Sequence, residues 1–137
     1  MLDHEGQLAF FKRAQRDGKL ILLPGSRIFV GENGKPIKLI RGPAGGSGRR
    51  KLQVVDWDGD GRLDVLFNSV NADYYRNLGE RDGKTVLKNM GPLDALKISG
   101  HTSSPTVVDW DKNGIPDLLV GAEDGRLYFA KNPRADK

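Results

Sequence analysis

Four carboxylates recur at alternating positions in one short stretch of the chain, residues 56–64. At positions 1, 3, 5 and 9 of this stretch stand Asp56, Asp58, Asp60 and Asp64. Like charges this close repel one another unless a cation neutralises them, and Ca²⁺ prefers about six to eight oxygen ligands. Gly61 at position 6 permits a sharp backbone reversal, and Arg62 at position 7 offers its carbonyl oxygen. The spacing therefore predicts a calcium site built from the four aspartates and the Arg62 carbonyl.

The residues on either side of this loop are typical of strands. Val54-Val55 precede it and Val65-Leu66-Phe67 follow it, and β-branched and aromatic residues favour strands. Position 12 is Phe67, whereas an EF-hand needs a bidentate Glu there, and no helical pattern flanks the loop. The sequence thus predicts a calcium turn between two strands.

The same unit recurs 53 residues further along the chain. Val107-Val108 and Leu118-Leu119-Val120 flank a second loop, whose predicted ligands are Asp109, Asp111, Asn113, the carbonyl of Ile115, and Asp117. Two copies at a fixed offset indicate a repeat architecture. The alternative is a pair of solvated Asp-Gly turns, which does not explain the shared spacing. Because ligand charge tunes calcium affinity, the first loop, with four carboxylates, is expected to bind more tightly.

These two stretches resemble the FG-GAP/VCBS repeats of integrin-type β-propellers. The resemblance is carried by Asp56-Trp57-Asp58-Gly59-Asp60-Gly61-Arg62-Leu63-Asp64 and by Asp109-Trp110-Asp111-Lys112-Asn113-Gly114-Ile115-Pro116-Asp117. It implies an all-β fold of four-stranded antiparallel blades, with calcium in the turn between the first two strands of each blade. It does not specify a function, because one fold serves adhesion, sugar binding and polysaccharide cleavage.

The predicted strands divide the chain into three blade segments. Residues 1–50 are expected to hold the outer strands of a partial blade, an inserted hairpin closed by Asn33-Gly34, and a basic Gly-rich connection. Residues 51–100 are expected to form a full blade, and residues 101–137 a second partial one. The total is nine strands, or about two and a quarter blades, against about four to eight in a closed propeller. An incomplete ring leaves apolar faces open, so self-association into a closed propeller is expected.

Composition narrows the classes of function. The chain has no Cys, no apolar run near the ~20 residues that span a membrane, and no signal peptide after Met1. Its net charge of +4 favours an anionic partner. No nucleic-acid recognition motif is present, so an acidic polysaccharide is the expected ligand class.

Three functions agree with the sequence. The first is a calcium-stabilised module, extracellular or on the cell surface, that binds carbohydrate or another anionic ligand without catalysis. The second is a fragment of a propeller-type polysaccharide lyase, and the third a purely structural, self-assembling propeller fragment. His101 and Ser103 have no orienting acid at a recognisable spacing, so no catalytic residue is predicted. Trp57 and Trp110, at position 2 of the loops, are expected to pack between blades.

Overall fold

A computed structural model describes residues 1–39, 50–69, 71–93, 98 and 103–136. Within these ranges the chain is almost wholly β, which confirms the predicted all-β class, and the one helical element is a 3-10 turn at Pro133–Asp136. None of the described residues forms a helix long and apolar enough to cross a membrane. Most of the predicted basic connection, residues 41–49, and His101 lie outside the described residues.

Ten strands follow one another along the chain. They are β1 Arg13–Arg16, β2 Lys19–Leu22, β3 Phe29–Val30, β4 Leu52–Val55, β5 Asp64–Asn68, β6 Ala72–Arg81, β7 Lys84–Pro92, β8 Ser104–Val108, β9 Asp117–Gly121 and β10 Leu127–Ala130. The chain divides into two compact units. One comprises Met1–Ser47 with Leu78–Leu87, and the other Gly48–Asn77 with Lys88–Lys137. The predicted division into three blade segments stays a prediction.

Two sheets are of the predicted blade type, and most of their residues lie in the second unit. In the first of them, strands β4, β5, β6 and β7 lie side by side in chain order. Leu66 of β5 is paired with Gln53 of β4 and Tyr74 of β6. In the other sheet, Leu119 of β9 is paired in the same way with Thr106 of β8 and Phe129 of β10. The two sheets are hereafter called the four-stranded blade and the three-stranded blade.

Apolar side chains from these two blades meet in one core. The four-stranded blade contributes Trp57, Leu66, Ala72 and Tyr74, and the other blade contributes Leu118 and Val120, with Ile98 completing the cluster. Since successive side chains alternate between the faces of a strand, Leu118 and Val120 lie on the face opposite to Leu119. Each blade therefore uses a different face in this contact. Trp57 is buried between the blades as expected, whereas Trp110 at the equivalent position is 59% exposed.

The first unit departs further from the predicted pattern. Residues 1–50 were expected to hold the outer strands of a partial blade, but residues 8–11 of this segment make only isolated bridges. Successive residues pair with different segments: Leu8 N donates to Ile37 O, Ala9 N to Met1 O and Phe10 N to Ser26 O. An additional short strand, β3, lies parallel to β7 and brings Val30 opposite Val86.

Two turns of the first unit are of the Asp-Gly or Asn-Gly type that favours hairpins, and the one at Asn33-Gly34 was predicted above. Asp17-Gly18 closes the β1–β2 hairpin, with φ angles of 50° and 72°. The inserted hairpin is closed at Gly34, whose φ is 73°, and Gly31 N donates to Lys35 O at 2.9 Å. Glycine and aspartate are favoured at such left-handed positions, which is why these turns could be predicted from the sequence.

Candidate metal centre

The first loop is folded around its own aspartates. Asp56 accepts hydrogen bonds from the backbone N–H groups of Gly59, at 2.8 Å, and Gly61, at 3.1 Å. Asp58 accepts one from Asp60 N at 3.2 Å. Gly59 and Gly61 have φ angles of 77° and 84°, in the left-handed region that favours glycine. These turns point several carboxylates toward the inside of one loop.

Asp64 is the most enclosed carboxylate of this loop. Its side chain is fully buried and accepts hydrogen bonds from Asn77 N at 2.7 Å, Trp57 N at 3.0 Å and the Tyr74 hydroxyl at 3.1 Å. Burial raises the pKa of Asp64, although the three hydrogen bonds oppose this effect. Burial and the nearby charges of Asp64 and Asp58 raise the pKa of Tyr74, so its phenol keeps the proton that it donates.

Three of the four predicted aspartates converge on one point. Asp56, Asp58 and Asp64 each place a carboxylate oxygen within 4.8 Å of the others. Two oxygens that bind one Ca²⁺ at about 2.3–2.6 Å can lie up to about 5 Å apart, so this group fits a single coordination sphere. All three donors are carboxylate oxygens, which suit a hard cation such as Ca²⁺.

Asp60, the fourth aspartate, faces two arginines. Its carboxylate accepts a hydrogen bond from Arg62 N at 2.9 Å and pairs with the Arg62 guanidinium, while Arg76 Nη2 lies at 3.4 Å. The backbone hydrogen bond from Arg62, with the positive charges of both arginines, lowers the pKa of Asp60. Arg76 Nε also lies 2.6 Å from Asp58 Oδ2, as an ion pair without the direction of a hydrogen bond.

The second loop repeats these contacts almost one for one. Asp109 accepts from Asn113 N and Gly114 N, both at 2.9 Å. Buried Asp117 accepts from Trp110 N at 3.2 Å and Asn132 N at 2.9 Å. Its three carboxylates do not converge as closely as those of the first loop, which form the only such group among the described residues. The predicted carbonyl ligands of Arg62 and Ile115 stay predictions.

Basic side chains offset part of the negative charge of the two loops. In the first loop, Arg62 pairs with Asp60, and Arg76 pairs with Asp58 and Asp60. In the second loop, Lys131 Nζ lies 3.7 Å from Asp111 Oδ2. Counting only these ion-paired cations, four carboxylates against two and three against one leave each loop an excess of two negative charges. The first loop is expected to bind calcium more tightly because it has one carboxylate more. Arg62 and Arg76 offset this difference in negative charge.

The sequence analysis missed the asparagines that follow these basic residues. Asn77 N and Asn132 N hold Asp64 and Asp117, and their side-chain amides donate to the main chain: Asn77 Nδ2 to Leu63 O at 2.9 Å, Asn132 Nδ2 to Pro116 O at 2.9 Å and to Trp57 O at 3.1 Å. A signal was present in the sequence. Arg76-Asn77 within β6 and Lys131-Asn132 directly after β10 form a basic-Asn pair that recurs 13–15 residues after the position-9 aspartate of each loop.

Residues after β10 also pack on the first loop. The Arg134 guanidinium occupies the space beside Gly59, where a Cβ would approach Arg134 Nη1 to 1.7 Å. Together with the bond from Asn132 to Trp57 O, this contact joins the three-stranded blade to the loop of the four-stranded blade. Gly59 is therefore favoured by its left-handed backbone, and a side chain at this position would displace the Arg134 guanidinium.

Comparisons with known proteins agree with this geometry. Residues 56–120 match the FG-GAP-like repeat, which confirms the resemblance found in the sequence. Cartilage acidic protein 1 of Mus musculus is 29% identical over 77 residues, and that of Homo sapiens is 27% identical over 77 residues. Each alignment covers 52% of this chain but only 12% of the relative. No solved structure matches the chain significantly.

The contacts of Asn132 generate a stability prediction. Replacing Asn132 with Ala leaves two carbonyls without their donor in a site that is 99% buried, since Asn132 is 1% exposed. Buried groups that lose a partner cost about 1–3 kcal/mol. Asn132→Ala should lower the free energy of unfolding by that amount in urea titrations. Asn77→Ala is the matched control, because its amide binds one carbonyl at an exposed site, and it should cost clearly less. Equal losses would contradict the assignment.

Proposed function

We propose that this chain, whose residues 56–120 are an FG-GAP-like repeat, is a calcium-stabilised propeller module that binds an anionic carbohydrate without catalysis. The observation that carries the calcium part is the convergence of Asp56, Asp58 and Asp64 within 4.8 Å. The residues that would hold the ion are these three, with Asp60 and the Arg62 carbonyl completing the set. The ion would neutralise negative charge on the loop carboxylates that Arg62 and Arg76 otherwise offset in part.

The second loop is proposed as a second site with the same ligand positions. Its aspartates are already oriented by backbone N–H groups, as those of the first loop are. Binding would need the exposed Asp109 and Asp111 to move inward toward the buried Asp117. In both loops a buried aspartate at position 9 supplies the fixed ligand.

The proposed location is outside the cell or on its surface. Calcium sites of extracellular modules bind at about 10⁻⁴–10⁻³ M, which only a calcium-rich medium saturates. Loops whose negative charge is partly offset by arginine or lysine belong at the weak end of the affinity range, because ligand charge sets affinity.

The proposed ligand class rests on the charge of the remaining surface. Of 18 acidic residues, seven lie in the two loops, whereas the chain has 22 Lys and Arg. Lys12, Arg13, Arg16 and Lys19 are exposed, and among the described residues none of them contacts a carboxylate. Exposed cations of this density attract polyanions.

Ser103 supports the proposal of a binding role without catalysis. Ser103 is 1% exposed, and its hydroxyl donates to Asn71 O while its oxygen accepts from Ser69 N at 3.3 Å. A buried hydroxyl already engaged by the backbone is a structural group, since a nucleophile needs access and an adjacent base.

Calcium removal should destabilise the protein. A ligand present at about 100 times its Kd adds about 2.7 kcal/mol per independent site, so excess chelator should lower the melting temperature by several degrees. Asp56→Asn and Asp58→Asn should each reduce this calcium-dependent shift. Asp82→Asn is the matched control, because Asp82 lies in a hairpin turn with φ 52°, which Asn also tolerates. An identical melting curve with calcium and with chelator would refute the calcium site.

Arg76 should restrain calcium binding at the first loop. Its guanidinium competes with the cation for Asp58 and Asp60, so Arg76→Gln should tighten calcium binding by about tenfold or less. Isothermal titration calorimetry would measure the change. Arg81→Gln, on the same strand but outside the loop, is the control and should leave affinity unchanged. Unaltered affinity in Arg76→Gln would show that the ion pair does not oppose the metal.

Calcium binding should weaken in mildly acidic solution. The pKa of Asp64 is raised by burial, so in the metal-free protein its protonation stabilises the fold, and this contribution is lost as the pH rises through the raised pKa. Calcium binding requires the ionised form of Asp64. At a pH close to the raised pKa of this carboxyl, binding should therefore release protons from it. Calorimetry in buffers of different ionisation enthalpy detects such release. Asp64→Asn should abolish it, and proton release that persists in this variant would assign it to another group.

Binding to polysaccharides tests the ligand class. With calcium present, polygalacturonate should bind and dextran, a neutral polymer, should not, and rising salt should weaken the complex because screening reduces charge attraction. A quadruple Lys12→Gln, Arg13→Gln, Arg16→Gln, Lys19→Gln variant should bind less. Absorbance from new double bonds during incubation would indicate a lyase instead, and equal binding of both polymers would refute charge recognition.

A further inference from the structure

The second loop contains an Asn-Gly pair that is chemically labile. Asparagine is a thermolabile residue, and it loses its side-chain amide most readily when glycine follows it. In this reaction the backbone nitrogen of the glycine attacks the side-chain carbonyl carbon of the asparagine. The sequence has two such pairs, Asn33-Gly34 and Asn113-Gly114, and both are exposed to water. The hydrogen bonds around the reacting atoms distinguish one pair from the other.

The side-chain amide of Asn113 is held at both ends. Its Oδ1 accepts a hydrogen bond from Ile115 N at 2.8 Å, and its Nδ2 donates to Asp111 Oδ2 at 3.1 Å. An N–H group at a carbonyl oxygen stabilises the negative charge that develops there during attack. Holding two neighbouring groups in place also lowers the entropy cost of their reaction. The amide carbon of Asn113 is therefore both oriented and polarised.

The attacking nitrogen of this pair lies against a carboxylate. Gly114 N donates a hydrogen bond to Asp109 Oδ2 at 2.9 Å. The nitrogen must lose this hydrogen to form a new bond, so a general base is already within reach of the proton. Gly114 has a φ of 83°, and a Cβ added to it would meet no atom within 4 Å. Nothing in the described part of the chain therefore shields the nitrogen on that side.

The pair Asn33-Gly34 has the same carbonyl contact but no base. Asn33 Oδ1 accepts from Lys35 N at 3.0 Å, as Asn113 Oδ1 accepts from Ile115 N. Gly34 N, however, donates at 2.9 Å to Gly31 O, a neutral carbonyl that cannot take up a proton. The two pairs thus differ at the attacking nitrogen, and the chain contains its own reference site.

We propose that Asn113 is a site of spontaneous deamidation in the metal-free loop, with Asp109 as the base. A bond forms between Gly114 N and Asn113 Cγ, the bond from Cγ to Nδ2 breaks, and ammonia leaves with the proton taken from Gly114 N. Water then opens the cyclic imide and leaves aspartate or isoaspartate at position 113. The net reaction consumes one water and releases one ammonia, with no oxidation or reduction.

The first loop shows that the aspartate product fits. Asp60 stands at the position of Asn113 and accepts from Arg62 N at 2.9 Å, while Gly61 N donates to Asp56 Oδ2 at 3.1 Å. The same two hydrogen bonds therefore form around a carboxylate. Deamidation to aspartate would give the second loop the four carboxylates that the first loop already has.

The reaction is assigned to the empty loop and does not require that the loop binds a metal. An ion at the proposed second site would engage Asp109 and withdraw the base. The test is therefore made in excess chelator, where deamidation of Asn113 can be measured even if the loop binds no calcium.

Peptide mapping by mass spectrometry tests the assignment. The full chain is incubated in neutral buffer with chelator, and aspartate and isoaspartate at positions 33 and 113 are quantified over time. Asn113 should react faster than Asn33 in the same molecules. Asp109→Asn keeps an oxygen that can accept from Gly114 N but removes the base. It should slow the reaction at Asn113 at least about tenfold, because general bases contribute about 10²–10⁴-fold, and should leave Asn33 unchanged.

Two further variants separate the base from a general effect of charge. Glu80→Gln removes one negative charge at an exposed position outside the loop and should leave both sites unchanged. Asp111→Asn removes one inside the loop and should slow the reaction at Asn113 clearly less than Asp109→Asn does. Equal slowing by the two loop variants would assign the effect to charge and overturn the proposal. So would an Asn113 that reacts no faster than Asn33, or an Asp109→Asn chain that reacts as fast as the unaltered one.

Discussion

The local structure of both blades depends on a buried, hydrogen-bonded carboxylate at the ninth position of each loop. Asp64 accepts backbone N–H groups from Trp57 and Asn77, and Asp117 accepts those of Trp110 and Asn132. One side chain thus joins the start of the loop and the second strand to a residue in or just after the third strand. A charge buried in this way is costly unless it is hydrogen-bonded and neutralised. Because the same carboxylate is the fixed ligand of the proposed metal site, loss of the cation and loss of local structure are coupled.

The contact between the blades connects the hydrogen bonds of one repeat with those of the next. Asn132 holds Asp117 of its own blade through its backbone and Trp57 O of the neighbouring blade through its side chain. Arg134 then lies against Gly59 in the neighbouring loop. The order of one loop therefore depends on the blade that follows it, as in repeat proteins whose stability comes from neighbouring interfaces. The second loop has no following blade within the described chain, and its carboxylates converge less closely.

Features that follow from residue types at fixed intervals could be predicted from the sequence. Features that depend on long-range pairing or packing could not. The ligand spacing, the flanking strands and the turns at Asp17-Gly18 and Gly34 follow from residue type at fixed intervals. Strand β3 could not be predicted, because two residues contain no period and its pairing with β7 is long-range. The different exposure of Trp57 and Trp110 could not be predicted either, because identical local sequences acquire different burial from what packs on them. Arg76 was missed because its contact with Asp58 joins a strand to a loop 18 residues earlier in the chain.

The connection between the second and third strands differs in length between the two blades. Three residues, 69–71, join β5 to β6, whereas five residues, 122–126, join β9 to β10. The paired strands and the Asn–Asp bonds are nevertheless preserved. The longer connection is closed by its own hydrogen bonds, from Ala122 N to Arg126 O and from Gly125 N to Ala122 O, both at 3.1 Å, and its tip, Glu123-Asp124-Gly125, is exposed. A segment that varies in length without disturbing its surroundings tolerates insertion. An epitope or a fluorescent reporter spliced in after Asp124 would thus leave the hydrogen-bonded framework of the blade intact.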